Sequence, residues 1–333
     1  MRTGLRFLAG LLLVLPAAAS TQSGGGPYQA PAHSRQDSPL FFVANQSMMR
    51  TRADAGMQIE QWRDPAEELA EHRRLNRALT ALLPQRAGTV DAYVIAIALD
   101  SDPVFGREAR VAGDVLAARY GAQGRTIVLA GSDGRAPSTL PRGTPETFGL
   151  ALARIAELMN RQEDVVVVYT TSHGAWFGLY YNDADNGYGA ISPNRLRDLL
   201  DGLGIRNRLL ILSACFSGVF VPRMQDANTA IVTAASAERS SFGCAAENDW
   251  TFFGDAMINH ALRKPQPLAA AFAEANGLIA SWEAQLPVRP SQPQVNIGPG
   301  AERWLAALDR RLPRVASQPV GRPALETSRA LFH

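Results

Sequence analysis

Val165-Val-Val-Val-Tyr-Thr-Thr-Ser-His173-Gly174 and Leu209-Leu-Ile-Leu-Ser-Ala214-Cys215 are two apolar runs that each stop on a reactive side chain. Neither alternates apolar with polar residues. An unbroken series of Val, Leu and Ile is what a parallel strand covered on both faces requires. In open α/β sheets the working groups collect at the carboxyl ends of such strands. One strand therefore delivers a histidine to that edge and the other a cysteine. The chain has only five His and two Cys in 333 residues, so their meeting points to thiol chemistry assisted by an imidazole, that of a cysteine hydrolase.

The flanking sequence has the rhythm of alternating strands and helices. Tyr93-Val-Ile-Ala-Ile-Ala98 reads as a first strand, 107–120 as its crossover helix and 126–130 as a second strand. Thr144 is an N-cap with Pro145 at the first helical position, which predicts a helix over 145–161. Behind His173, the Asn186-Gly187 pair predicts a hairpin over 179–188. Ser192-Pro193 opens a helix to about Leu203. A further buried strand follows over 229–235, then helices over 252–262 and 267–285, a last short strand over 294–297 and a helix over 301–311. This alternation predicts a mainly parallel sheet with helices on both faces. Glu67 to Leu83 carries Leu69, Leu75, Leu79 and Leu82 at helical spacing and is expected to pack on the main domain.

The thiolate is the attacking species, and the helix expected to begin near Gly218 would favour it through its positive end. His173 is the candidate general acid/base. Gly174 lacks a side chain, which suits close approach of a substrate backbone. Cys244 reads as a structural cysteine, because a Cys215–Cys244 bridge would consume the nucleophile. Trp176 and Phe177 are expected to pack beneath the hairpin. Asp183-Ala-Asp185-Asn-Gly187 departs from a calcium loop in the place of its Gly and in lacking the closing Glu, so a turn is the reading.

His173 precedes Cys215 by 42 residues, the order found in caspases at roughly 50 residues. A hydrophobic block ending in His-Gly, then one ending in Ala-Cys, resembles the caspase-like cysteine peptidases. Cys215-Phe-Ser217-Gly218, Thr233-Ala-Ala-Ser-Ala-Glu-Arg-Ser-Ser241-Phe-Gly-Cys244 and Phe253-Gly-Asp255 are similar to the legumain, or asparaginyl endopeptidase, branch. The resemblance spans about Asp91 to Ile297. It implies an α/β fold, the caspase-like three-layer α/β/α sandwich with a mainly parallel sheet. It also implies cleavage after Asn or Asp through a Cys215/His173 dyad, with the backbone N–H groups of Gly174 and Cys215 as the oxyanion hole. The substrate-binding residues it implies are Arg107 as donor, Asp255 as acceptor and Ser241 as wall. Two places depart from the family. Ser213 stands where the family has an acidic pocket residue, and Phe105 where it has an Asn that orients the histidine. The resemblance implies no metal and no organic cofactor. The same acyl-enzyme would serve a transamidase or ligase, and a non-catalytic binding module on the same fold is the alternative from another class.

Composition fits a soluble globular protein, with 46% hydrophobic and 19% charged residues. A net charge of +2 without a basic run gives no case for nucleic acid. The expected partner is a peptide or protein substrate. Met1 to Arg6 is a basic n-region, Phe7 to Leu15 an apolar core and Pro16-Ala-Ala-Ala19-Ser20 a small-residue cleavage site. That core is shorter than the roughly 20 residues of a spanning helix, so no stable membrane span remains after cleavage and the protein is expected to be secreted or periplasmic. The expected organisation is a signal peptide over 1–19, a disordered linker over 20–38, a helical N-terminal segment over 39–90, the peptidase domain over 91–298, and a C-terminal helix and tail over 299–333.

Overall fold

Seven residues, Ala92–Ala98, form strand β2, and every one of them is buried. The same holds for β4, Val165–Thr171, and for β8, Arg208–Ser213. The computed structural model describes residues 45–184 and 186–329; the expected signal peptide and linker lie outside them. The three strands lie side by side and parallel, β4 in the centre. β3 (Thr126–Leu129) extends the parallel set beyond β2, and β9 (Thr229–Thr233) extends it beyond β8. β10 (Gln294–Ile297) closes the edge antiparallel to β9. The six-stranded order is β10-β9-β8-β4-β2-β3.

Side chains alternate between two cores because successive Cβ atoms leave a strand on opposite faces. Val94, Ala96, Val167, Tyr169, Leu209 and Ile211 join a core with helices α3 (Pro103–Tyr120), α7 (Leu268–Glu283) and α8 (Ala301–Asp309). Ile95, Ile97, Val166, Val168, Leu210 and Leu212 face α4 (Pro145–Leu158) and α5 (Pro193–Gly202). Two covered faces make the three-layer sandwich read from the unbroken apolar runs. Among the described residues no helix is long and apolar enough to cross a membrane.

The hairpin behind His173 forms as expected, with β6 (Gly178–Asp183) antiparallel to β7 (Gly187–Ile191). It belongs to a second sheet that the sequence reading did not assemble. The two-residue strand β5 (Gly174–Ala175) pairs with β6, and β1 (Gln58–Glu60) pairs with β7. The N-terminal segment is thus not purely helical. Its α1 (Gln46–Asp54) places Asp54 to accept from Ser192 Oγ at 2.6 Å and Asn194 Nδ2 at 3.0 Å. Its α2 (Pro65–Thr80) sends Leu75 into the α4 side of the core. Phe177 is buried in the hairpin's own cluster, with Trp176 edge-on at 5.1 Å.

Two expectations need correction. The helix expected over 252–262 is a π-helix, Gly254–His260, followed by a 3-10 turn, Ala261–Arg263. The tail, expected to fray beyond its first helix, is tied down again after α8. Residues 320–324 bond to the π-helix and its neighbours, and the short helix α9, Ala324–Arg329, follows.

Candidate active site

Asp100, Asp102, His173 and Cys215 all follow the carboxyl ends of neighbouring parallel strands, β2, β4 and β8. The chain runs from β2 outward to β3 and then returns to the other side of β2 as β4. The β2–β4 crevice is therefore where the direction of winding reverses, the usual place for a ligand in an open α/β sheet. A cavity of about 710 Å³ opens at the opposite, amino ends of the strands, lined by Val90, Asn207 and Trp304, away from these residues. A second cavity, about 370 Å³, borders Asp100, Ser132 and Arg142 at the carboxyl ends.

His173 is pinned through its backbone. Its carbonyl accepts from Tyr180 N–H at 3.0 Å and from Ser172 Oγ at 2.7 Å. The ring Nε2 lies 3.6 Å from Asp102 Oδ2, an ion pair longer than a hydrogen bond. Phe105 meets the ring edge-on with centroids 5.2 Å apart. Burial works against the imidazolium. The Asp102 carboxylate, a contact with Cys244 and the Asp100 charge overcome it and hold the His173 pKa up at about 11. What orients His173 is thus Asp102, which sequence reasoning missed. It is the N-cap of α3, yet its side chain makes no capping hydrogen bond. The signal was present as an acid just past the first strand.

Cys215 Sγ accepts from Ser241 N–H at 3.2 Å, and the thiol points to Ser241 O at 3.5 Å. Burial pushes the thiol pKa up; the Ser241 N–H and the His173 charge pull it down, and the net direction is upward. The helix expected to assist begins only as a four-residue 3-10 turn, Ser217–Phe220, followed by the four-residue α6, Val221–Met224. Its contribution to the thiolate is smaller than the sequence suggested. Phe216, next to Cys215, holds φ +57°, a conformation uncommon for a side chain of that bulk. A Cβ at Gly174 would collide with the carbonyl oxygen of Cys215. The absent side chain thus brings the two backbones of the proposed oxyanion hole together, in addition to any room it leaves for substrate.

The pocket residues divide. Arg107 is mostly buried; its guanidinium donates to Asp133 O at 3.0 Å and to the carbonyls of Ala246 and Asn248. Asp249 Oδ1 lies 3.7 Å from Arg107 Nε. Asp255 is not beside it. This carboxylate is fully buried, with Oδ1 accepting from Asn259 Nδ2 at 2.8 Å and Oδ2 from Ala324 N–H at 2.8 Å. Both Asp255 oxygens, expected to face a substrate, are thus engaged within the fold. Ser213 is likewise buried, with its hydroxyl on Glu108 Oε1 at 3.2 Å. The acid missing at position 213 stands one helix away. Glu108, also fully buried, accepts from Tyr169 and Thr171 hydroxyls and from Thr251 N–H as well. Burial pushes its carboxyl up.

Residues 150–296, which contain His173, Gly174, Cys215 and Ser241, match the family model described as the Peptidase C13 family. Over these residues the chain is similar to the legumain family, and the match supports a cysteine-type peptidase of the legumain type. The legumain-type stretch begins inside α4, so Asp102 and Arg107 lie before it. A search of curated protein sequences gives no significant match. Among solved structures, the chain is similar to caspase-1 from Spodoptera frugiperda, with a TM-score of 0.43 and 14% identity over 65% of this chain and 88% of that one.

Proposed function

We propose that this legumain-type peptidase is an exported endopeptidase that cuts after Asn or Asp, with Cys215 as nucleophile and His173 as acid/base. The observation that carries this reading is the strand-end placement of the two groups, with Gly174 pressed against the Cys215 backbone. The Cys215 thiolate attacks the substrate carbonyl carbon, and the oxyanion takes the N–H groups of Gly174 and Cys215. His173, protonated through the neutral range, gives its proton to the departing amine. The neutral ring then takes a proton from water as water opens the thioester. Thiolate and imidazolium are restored together.

Arg107 is the group that meets the Asn or Asp side chain, displacing loop carbonyls from its guanidinium. Asp249, rather than Asp255, is the nearby carboxylate that accepts from an Asn amide. Export rests on the basic n-region, apolar core and small-residue site at the start of the chain.

The test is a panel of short peptides that differ only at the residue before the cut. Asn and Asp peptides are expected to be cleaved and Gln, Glu and Ala peptides spared, with all cleavage lost in Cys215→Ala. Cleavage that persists in Cys215→Ala would sink the dyad. Cleavage without preference at that residue would remove the Arg107 reading alone.

A further inference from the structure

Cys244 reads from sequence as a structural cysteine, yet it stands at the active site. Residues 234–251 contain no helix or strand, and this loop grips the nucleophile through Ser241, three residues before Cys244. Cys244 is half-buried against the cluster of Ala98, Phe105 and Ala130, and Phe105 is the ring that meets His173. Cys244 also lies close enough to His173 to help hold the pKa of that ring up. The chain has two cysteines in all, and both are free. One imidazole thus stands near both thiols. Gly243, immediately before Cys244, holds φ +90°, a conformation that glycine adopts freely.

We propose that Cys244 is the resolving thiol for Cys215: a hydroperoxide oxidises Cys215, and Cys244 closes a Cys215–Cys244 disulfide that reversibly blocks the peptidase. The Cys215 thiolate attacks the peroxide, the O–O bond breaks and Cys215 becomes a sulfenic acid. The released alkoxide or hydroxide leaves protonated, as alcohol or water. The Cys244 thiolate then attacks the sulfenic sulfur. The S–O bond breaks, the S–S bond forms and hydroxide leaves as water with a proton from His173. Two thiols lose two electrons in all, and the peroxide bond takes up both. Bridging needs the two Cα atoms within about 7 Å, so closing the bridge requires the loop to release Ser241 from Cys215. Without a resolving thiol the sulfenic acid goes on to sulfinic acid, which a thiol reductant does not reverse.

The blocking part of this inference rests on Cys215 being the nucleophile; the bridge itself does not. The test exposes the full-length chain, Cys215→Ala, Cys244→Ala and Cys244→Ser to hydrogen peroxide. Peptide mapping and activity after dithiothreitol are then read, each variant against its own untreated sample. The wild type is expected to lose about 2 Da, to yield a linked Cys215–Cys244 peptide and to regain most of its activity. Both Cys244 variants should carry sulfinic acid at Cys215 and regain little. Absence of the linked peptide in the wild type, or equal recovery in the Cys244 variants, overturns the proposal. A linked peptide from a chain that cleaves nothing supports the bridge and removes the catalytic reading instead.

Discussion

Asp102 occupies the N-cap of α3 but spends its side chain on His173, 3.6 Å away, in place of capping the helix. A cap hydrogen bond of about 1 kcal/mol is forgone there. The return is electrostatic, since a carboxylate beside the ring favours imidazolium and fixes which nitrogen faces it. Asp102→Asn keeps the shape and removes the charge. The His173 pKa should then fall from about 11 toward the ordinary value near 6.5. The sign follows from the proposed mechanism: a His173 that gives its proton to the departing amine must be protonated, so the alkaline limb of the kcat/KM profile moves to lower pH. Loss of one such charge-assisted contact should also lower kcat/KM about ten- to a hundredfold near neutrality. A profile whose alkaline limb stays in place would assign Asp102 to the fold alone. His173 and Cys215 were legible because each ends an apolar run. Asp102 was not, because the family pattern directed the search to position 105, where the aromatic Phe105 touches the ring without offering it a charge.

At the scale of elements, the π-helix over 254–260 ties into the fold a residue that sequence likeness places in the pocket. Gly254 packs on Glu108 with no room for a Cβ, and Asp255 turns inward. Its two oxygens bind Asn259 within the element and the N–H of Ala324 at the start of α9. Val320 closes the joint, donating to Asn259 Oδ1 at 2.9 Å and accepting from Trp250 Nε1 at 2.8 Å. The sequence carries no local sign of the joint to Val320 and Ala324, because these partners lie 61 to 70 residues away and meet only in the fold. Asp255→Ala leaves a buried N–H and a buried amide without their acceptor. The expected loss is about 2–4 kcal/mol of stability, read as a lower denaturant midpoint. Well below the unfolding temperature, kcat/KM for Asn and Asp peptides should change by the same factor. A selective loss on Asn peptides would return Asp255 to the pocket.

Across the whole molecule the sheet separates stability from chemistry by its two ends. The carboxyl ends carry Asp102, His173 and Cys215; the amino ends of β8 and β9 carry a network around Arg208, whose side chain is 1% exposed. Arg208 pairs with Asp201 and Asp226 at 2.8 Å each and donates to Thr229 Oγ1 at 2.8 Å. The strand order that produces this division was legible only as alternation of strands and helices; which strand neighbours which is set by packing between segments far apart in sequence. Burial works against both carboxylates, but Arg208, Arg197 and the local donors hold them below the usual range. A carboxyl whose folded pKa is depressed contributes stability that is present above its unfolded value, about 3.9, and is lost as pH falls through the folded value. Asp226→Asn should therefore lower stability at pH 7 by about 1.5–3 kcal/mol, the worth of a hydrogen bond to a charged partner. Its stability should also fall less steeply than that of the wild type as pH drops from about 5 to 2. Because Asp226 lies at the far end of the sheet, kcat/KM at neutral pH should not change. Parallel acid profiles for the two proteins would show that the Arg208 network does not drive acid unfolding, and a changed kcat/KM would show that the two ends of the sheet are coupled.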